Sequence, residues 1–168
     1  MKSAAQDADR RALPEGLLQS TGYLLSKLGA VARRRMVERL LTEDLEMPRS
    51  HQRLPCLAVL HCLADFEPVS QREICQRLGM DGSDVVAVLD DLEGAGYVVR
   101  RRDQRDRRRH AVSLTPSGRN ALRRLEEATG QVEDAVLAPL SAEERKVLHR
   151  LLLRALAHHD ARAFRCPE

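Results

Sequence analysis

The chain has 168 residues, 43% of them hydrophobic, and a formal charge of +3. That length suits one domain with long appended helices, and no apolar run approaches the roughly eighteen residues needed to span a bilayer. The aromatic residues are Tyr23, Phe66, Tyr97 and Phe164, so Leu, Val and Ala must fill the core, and modules that stack single-stranded bases on aromatic platforms are excluded.

Residues 1–13 are polar, with no signal-peptide core, and read as a disordered N-terminus of a cytoplasmic protein. From Pro14 to about Asp44, Leu17, Leu24, Leu28, Val31, Met36 and Leu40 recur at helical spacing and predict one long helix. Residues 46–53 form a connector, and a second helix is expected from about Pro55 to Ala64. A turn holding Pro68 follows. Ser70-Gln71-Arg72-Glu73 then has the form of a capping box, opening a short helix that Gly79 ends as a left-handed cap.

Asp81 is placed to cap the next helix, with Asp84 in its first turn and Val85, Val88, Leu89 and Leu92 as its buried stripe. Two short helices joined by a glycine-containing turn make a helix-turn-helix. After Gly96 the period changes from 3.6 to 2. Residues 97–100 and 110–114 predict two strands of a hairpin. Thr115-Pro116 starts a helix to about Leu137, and a second capping box, Ser141 to Glu144, opens the last one.

The hairpin carries the charge. Residues 97–115 hold Arg100, Arg101, Arg102, Arg105, Arg107, Arg108 and Arg109 against Asp103 and Asp106, a local +5 in a chain of +3. Either this is a solvated loop, or it meets a polyanion whose counterions it releases.

Three motifs in order resemble the MarR family of bacterial transcriptional regulators: Asp90-Asp91-Leu92-Glu93-Gly94-Ala95-Gly96-Tyr97-Val98, the wing signature Asp103-Gln104-Arg105-Asp106-Arg107-Arg108, and Leu114-Thr115-Pro116-Ser117-Gly118. The resemblance covers about residues 17–157. It implies a mainly α (α+β) fold, a winged helix-turn-helix with long N- and C-terminal dimerisation helices. The corresponding divisions are a disordered start (1–13), an N-terminal dimerisation helix and connector (14–48), a DNA-binding domain (49–115), C-terminal dimerisation helices (116–160) and a flexible tail (161–168).

The resemblance further implies a homodimer that binds palindromic double-stranded DNA, usually as a repressor, and releases it when a small aromatic or anionic effector binds. Leucine-rich helices at both ends, too long for so small a domain to cover, independently call for a partner. On duplex DNA, Arg105 and Arg107 are expected in the minor groove and Arg108 on phosphate or solvent. Arg105 has a second reading, pairing with Asp103 or Asp106 to stiffen the turn.

The reading helix departs from the commoner family pattern, because no cation lies between Arg77 and Arg100. Bidentate guanine recognition by arginine is therefore closed to it. What remains is Ser83 to a base edge or phosphate, Asp84 to a cytosine amino group or merely as a cap, and Val86 or Ala87 on a thymine methyl. Gln71 and Arg72 would hold phosphates.

Tyr23, Lys27, His51 and His61 are the effector-site candidates. Cys56, Cys62, Cys75 and Cys166 have no CxxC or disulfide pattern and read as free thiols, with a thiol-based redox sensor as an alternative. A non-DNA interaction module, suggested by Asp84 and Asp91, is the other alternative. His149, His158, His159 and Cys166 match no compact ligand spacing, so no metal or other cofactor is expected. No catalytic constellation is present, and an enzyme is not expected.

Overall fold

A computed structural model describes residues 13–42, 53–102 and 110–162. Helices α1 (Glu15–Leu18) and α2 (Thr21–Leu41) lead into α3 (Arg53–Phe66), followed by β1 (Val69–Ser70), α4 (Gln71–Leu78) and α5 (Gly82–Gly94). The hairpin β2 (Val98–Arg102) and β3 (His110–Leu114) precedes the two last helices, α6 (Pro116–Val136) and α7 (Ala142–His159). The expectation of disorder over residues 1–12 lies outside the described residues, as do residues 43–52, 103–109 and 163–168.

Three boundaries differ from those read in the sequence. The expected continuous N-terminal helix is broken at Gln19–Ser20, because Ser20 adopts an extended conformation and its hydroxyl accepts a hydrogen bond from the Tyr23 amide at 3.3 Å, starting a new helix. Helix α3 begins earlier and ends later than expected, absorbing Arg53, Asp65 and Phe66. The segment taken as a plain turn contributes β1, which pairs antiparallel with β3 (Val69 opposite Val112), so the hairpin becomes a three-stranded sheet in the order β1-β3-β2.

The local signals act as the sequence suggests. Ser70 and Glu73 satisfy each other's backbone amides at 3.3 and 2.8 Å, and Gly79 closes α4 at φ 64°. The Ser141–Glu144 pair does the same for α7, and the amide bonds to Ser141 lower the Glu144 carboxyl from its ordinary pKa. Thr115 caps α6 by accepting from the Gly118 amide, with Pro116 at the helix start.

The core sits where α3, α4, α5 and the sheet meet. Val59, Leu60 and Leu63 of α3 pack with Ile74, Val85, Leu89, Leu92, Val112 and Leu125. Each fully buried Leu or Ile side chain stabilises the fold by roughly 1.5–3 kcal/mol. Helix α6 extends this core with a stripe of Ala121, Leu122, Leu125, Ala128 and Val132 at three- and four-residue spacing.

Beyond the core the packing thins. Helix α2 lies along α6, where Arg39 donates two hydrogen bonds to Gln131, at 3.1 and 3.0 Å. Leu40 is the buried residue of α2, and α7 buries none. Arg145 fastens the α6–α7 corner through Asp134 at 2.6 Å and the Leu137 and Leu140 carbonyls. At the far end of α7, Arg162 hydrogen-bonds Asp160, holding its carboxyl down to about 2, and lays its guanidinium against Gly79.

Candidate nucleic-acid interface

Helices α4 and α5 are held by opposite faces of the same pattern. Val85, Val88, Leu89 and Leu92 turn α5 inward, leaving Ser83, Asp84 and Val86 exposed and Ala87 half-buried on its outer side. Val86 is 37% exposed, an apolar side chain presented to solvent on the outer face of the helix. Gln71 and Arg72 occupy the first turn of α4, half-buried and exposed respectively. Six of the nine residues expected to meet DNA thus stand on two adjacent helices: Ser83, Asp84, Val86 and Arg72 are open to solvent, and Ala87 and Gln71 partly so.

Two expectations about caps need correction. Asp81 holds the N-cap position of α5 but makes no capping hydrogen bond with its side chain. Asp84 does not act as the cap either; it lies in the first turn, exposed, where the helix dipole favours its charge.

Arg100 is the residue that the sequence reading counted only as charge. Its guanidinium lies 2.5 Å from Asp90 Oδ1 and 3.3 Å from Glu93 Oε2, and its backbone N–H donates to Glu93 Oε1 at 3.2 Å. The side chain is 26% exposed. Part of the hairpin's positive charge is therefore spent within the protein. The signal was present: two carboxylates three residues apart at the end of a helix, and an arginine in the strand that follows.

The hairpin runs out from this junction. Val98 opposes Leu114, Arg100 opposes Val112 and Arg102 opposes His110. Arg101 is exposed. Arg105, Arg107 and Arg108, expected at the tip, lie outside the described residues.

The root of the hairpin is a compact junction. The Thr115 hydroxyl donates to the Gly96 carbonyl at 2.7 Å, the Thr115 amide donates to the Tyr97 carbonyl at 3.0 Å, and Gly118 abuts that same carbonyl so closely that a Cβ would overlap it. Gly96 itself sits at φ 72°. Two of the three family-like motifs are thus one structural unit.

The effector candidates do not converge. Tyr23 and Lys27 are neighbours on α2, with the Lys27 ammonium 5.8 Å from the ring centre. His61 faces Glu126 of α6 at 3.6 Å, and His51 lies outside the described residues. Tyr23, Lys27 and His61 do not line the apolar groove of about 380 Å³ between α2, α6 and α7, whose walls are Leu25, Leu28, Met36, Val132, Val136 and Leu152 among others. Cys56 and Cys62 are buried and Cys75 is half-buried, with no disulfide among the described residues. Burial pushes the Cys62 thiol up, against the opposing pull of Arg77, and keeps it protonated. Cys166 lies outside the described residues.

A helix-turn-helix followed at once by an antiparallel hairpin defines a winged helix-turn-helix protein. The model of the MarR family matches residues 53–109. A candidate transcriptional regulatory protein for the hcr operon of Thauera aromatica is 35% identical over 96 residues, 57% of this chain and 58% of that protein. The chain thus spans under two thirds of that relative. Among solved structures, the transcriptional repressor CouR bound to a 23-mer DNA duplex superposes with a TM-score of 0.72 at 28% identity, covering 86% of this chain and 99% of that one. The PcaV regulator of Streptomyces coelicolor, in complex with its natural ligand, gives 0.65 at 27%, covering 89% and 99%. Over its helix-turn-helix and hairpin the chain is thus similar to the MarR family, and its fold is that of these solved regulators.

Proposed function

We propose that this protein is a transcriptional regulator that binds a palindromic operator as a symmetric homodimer, represses, and lets go when a small aromatic or anionic effector binds. The observation that carries the reading is the union of an exposed two-helix face with an arginine-rich hairpin at one edge. CouR's DNA complex and PcaV's ligand complex support it by likeness of fold.

The second subunit would cover the leucines left open on both end segments. Leu24, Leu25 and Leu28 of α2 and Leu151, Leu152 and Leu156 of α7 are 41–54% exposed. Large apolar side chains grouped this way on a monomer mark an interface. A two-fold axis through it would set two copies of α5 about 34–36 Å apart, one turn of duplex. Paired hairpins would then bring arginine to one face of the DNA. With no cation on α5 to read guanine, Ser83, Asp84, Val86 and Ala87 would contact base edges, Gln71 and Arg72 would hold phosphates, and Arg105 and Arg107 would enter the minor groove with Arg108 beside it.

The test is titration of the duplex upstream of its own gene across a range of salt. Affinity should fall steeply with salt, and Arg105→Ala or Arg107→Ala should each weaken binding by about 1–3 kcal/mol. A flat salt response, or full affinity in both variants, would refute this interface.

A further inference from the structure

Helix α5 carries Asp84, Asp90, Asp91 and Glu93 and no cation. A helix of that composition is repelled by a phosphate backbone, and the repulsion grows as water is squeezed out between them. Yet two of its four carboxylates do not stand alone. Arg100 meets Asp90 and Glu93 together with its guanidinium, while its own amide is bound by Glu93. The planar fork of arginine can span two carboxylates in a way a lysine ammonium cannot.

The place of this bridge matters as much as its charge. Asp90 and Glu93 are on the last turns of α5, and Arg100 is the third residue of β2, opposite Val112. Between them lie Ala95, half-buried against the core, and Gly96, which is at positive φ and whose carbonyl accepts from the Thr115 hydroxyl. The bridge spans this stretch.

Resting on the DNA-binding reading above, we propose that Arg100 is a positioning residue: its bridge to Asp90 and Glu93 sets the angle between α5 and the hairpin and cancels two of the four carboxylates of α5, so that an acidic helix can approach duplex DNA. Arg100 is thereby withdrawn from direct contact with DNA.

Two measurements separate this from simpler roles. Without DNA, native-state amide exchange in Arg100→Met should be about tenfold faster or more across β2, with the α3 amides unchanged. The Asp90→Asn, Glu93→Gln double variant, which breaks the bridge from its other side, should do the same. Unchanged exchange in β2 would overturn the positioning role whether or not the protein binds DNA, and the α3 amides report whether each variant is folded.

With the duplex from its own promoter, Arg100→Met should bind about tenfold more weakly, and adding Asp90→Asn and Glu93→Gln to it should restore at least about threefold. If the triple variant is as weak as Arg100→Met while the acid double variant binds more tightly than wild type, Arg100 contacts phosphate directly and the proposal fails. Arg100→Lys should fall between wild type and Arg100→Met. Faster exchange in β2 combined with no duplex binding by the wild type would leave the bridge standing and remove the function proposed above.

Discussion

Single residues at the hairpin root show how a family-like motif earns its spelling from contact chemistry. Gly118 is required not by backbone conformation, since it lies within α6, but by proximity: its α-carbon faces the Tyr97 carbonyl with no room for a methyl group. Thr115 is required twice, as cap for α6 and as donor to the Gly96 carbonyl. Gly118→Ala should therefore lower stability by about 1–3 kcal/mol, the usual cost of forcing extra volume into a fixed contact. Denaturant unfolding would measure it, and a midpoint equal to wild type would mean that α6 can shift away from Tyr97 at little cost. From sequence, Cys62 reads as a buried thiol with redox sensing as the alternative, and it is indeed enclosed, with burial raising its pKa.

Among elements, the ties that matter are those joining segments far apart in the chain. Glu67, between α3 and β1, accepts the Leu114 amide at 2.6 Å and pairs with Arg119 of α6, with its side chain only 16% exposed. It stitches the end of α3 to both the hairpin and the long helix. Replacing it with Ala, which removes the acceptor of the Leu114 amide, should cost about 1.5–3 kcal/mol, as for other hydrogen bonds to a charged group. Arg119→Ala should cost less, about 1 kcal/mol or below, because Arg119 is half exposed. Chemical denaturation of the two variants would check the order; an equal or reversed ranking would place the stabilisation in the ion pair rather than the amide bond.

This contrast also explains what the sequence made legible. The caps at Ser70, Thr115 and Ser141 could be read because each closes within three residues. The buried stripes of α5 and α6 could be read because helical periodicity is local as well. Strand β1 could not, because two residues carry no pattern and its partners Val112 and Ala111 come more than forty positions later. The break at Ser20 was hidden by leucines spaced evenly across it. Arg100 was miscounted for a related reason: summing charge over a window cannot see that Asp90, ten positions earlier on another element, already holds it. The outward face of α5 was legible as a surface because its buried stripe fixes it, whereas the effector candidates were chosen by residue type alone, and Tyr23 and His61 fall on different helices with different neighbours.

At the scale of the molecule, the distribution of burial is lopsided. The domain built on α3, α4 and α5 has a closed core, while α2 and α7 keep apolar side chains open. Those side chains define the expected homodimer contact. Leu151→Glu, at a position 46% exposed in the single chain, should turn a two-chain species into a one-chain species in sedimentation analysis. It should also weaken operator binding at least about a hundredfold, since two half-sites can no longer be engaged together. A dimer that persists in this variant would move the contact to another face.

The root of α6 sets a mechanical relation between these two halves. The helix has 21 residues and is therefore about 30 Å long, with its first turn seated on Tyr97 and its later turns carrying α2 through Gln131. A rigid rod footed in this way behaves as a tiller. Swinging it by about 5° would sweep its tip through about 3 Å, and the contacts of Thr115 and Gly118 with Gly96 and Tyr97 would pass that tilt toward the base of the hairpin.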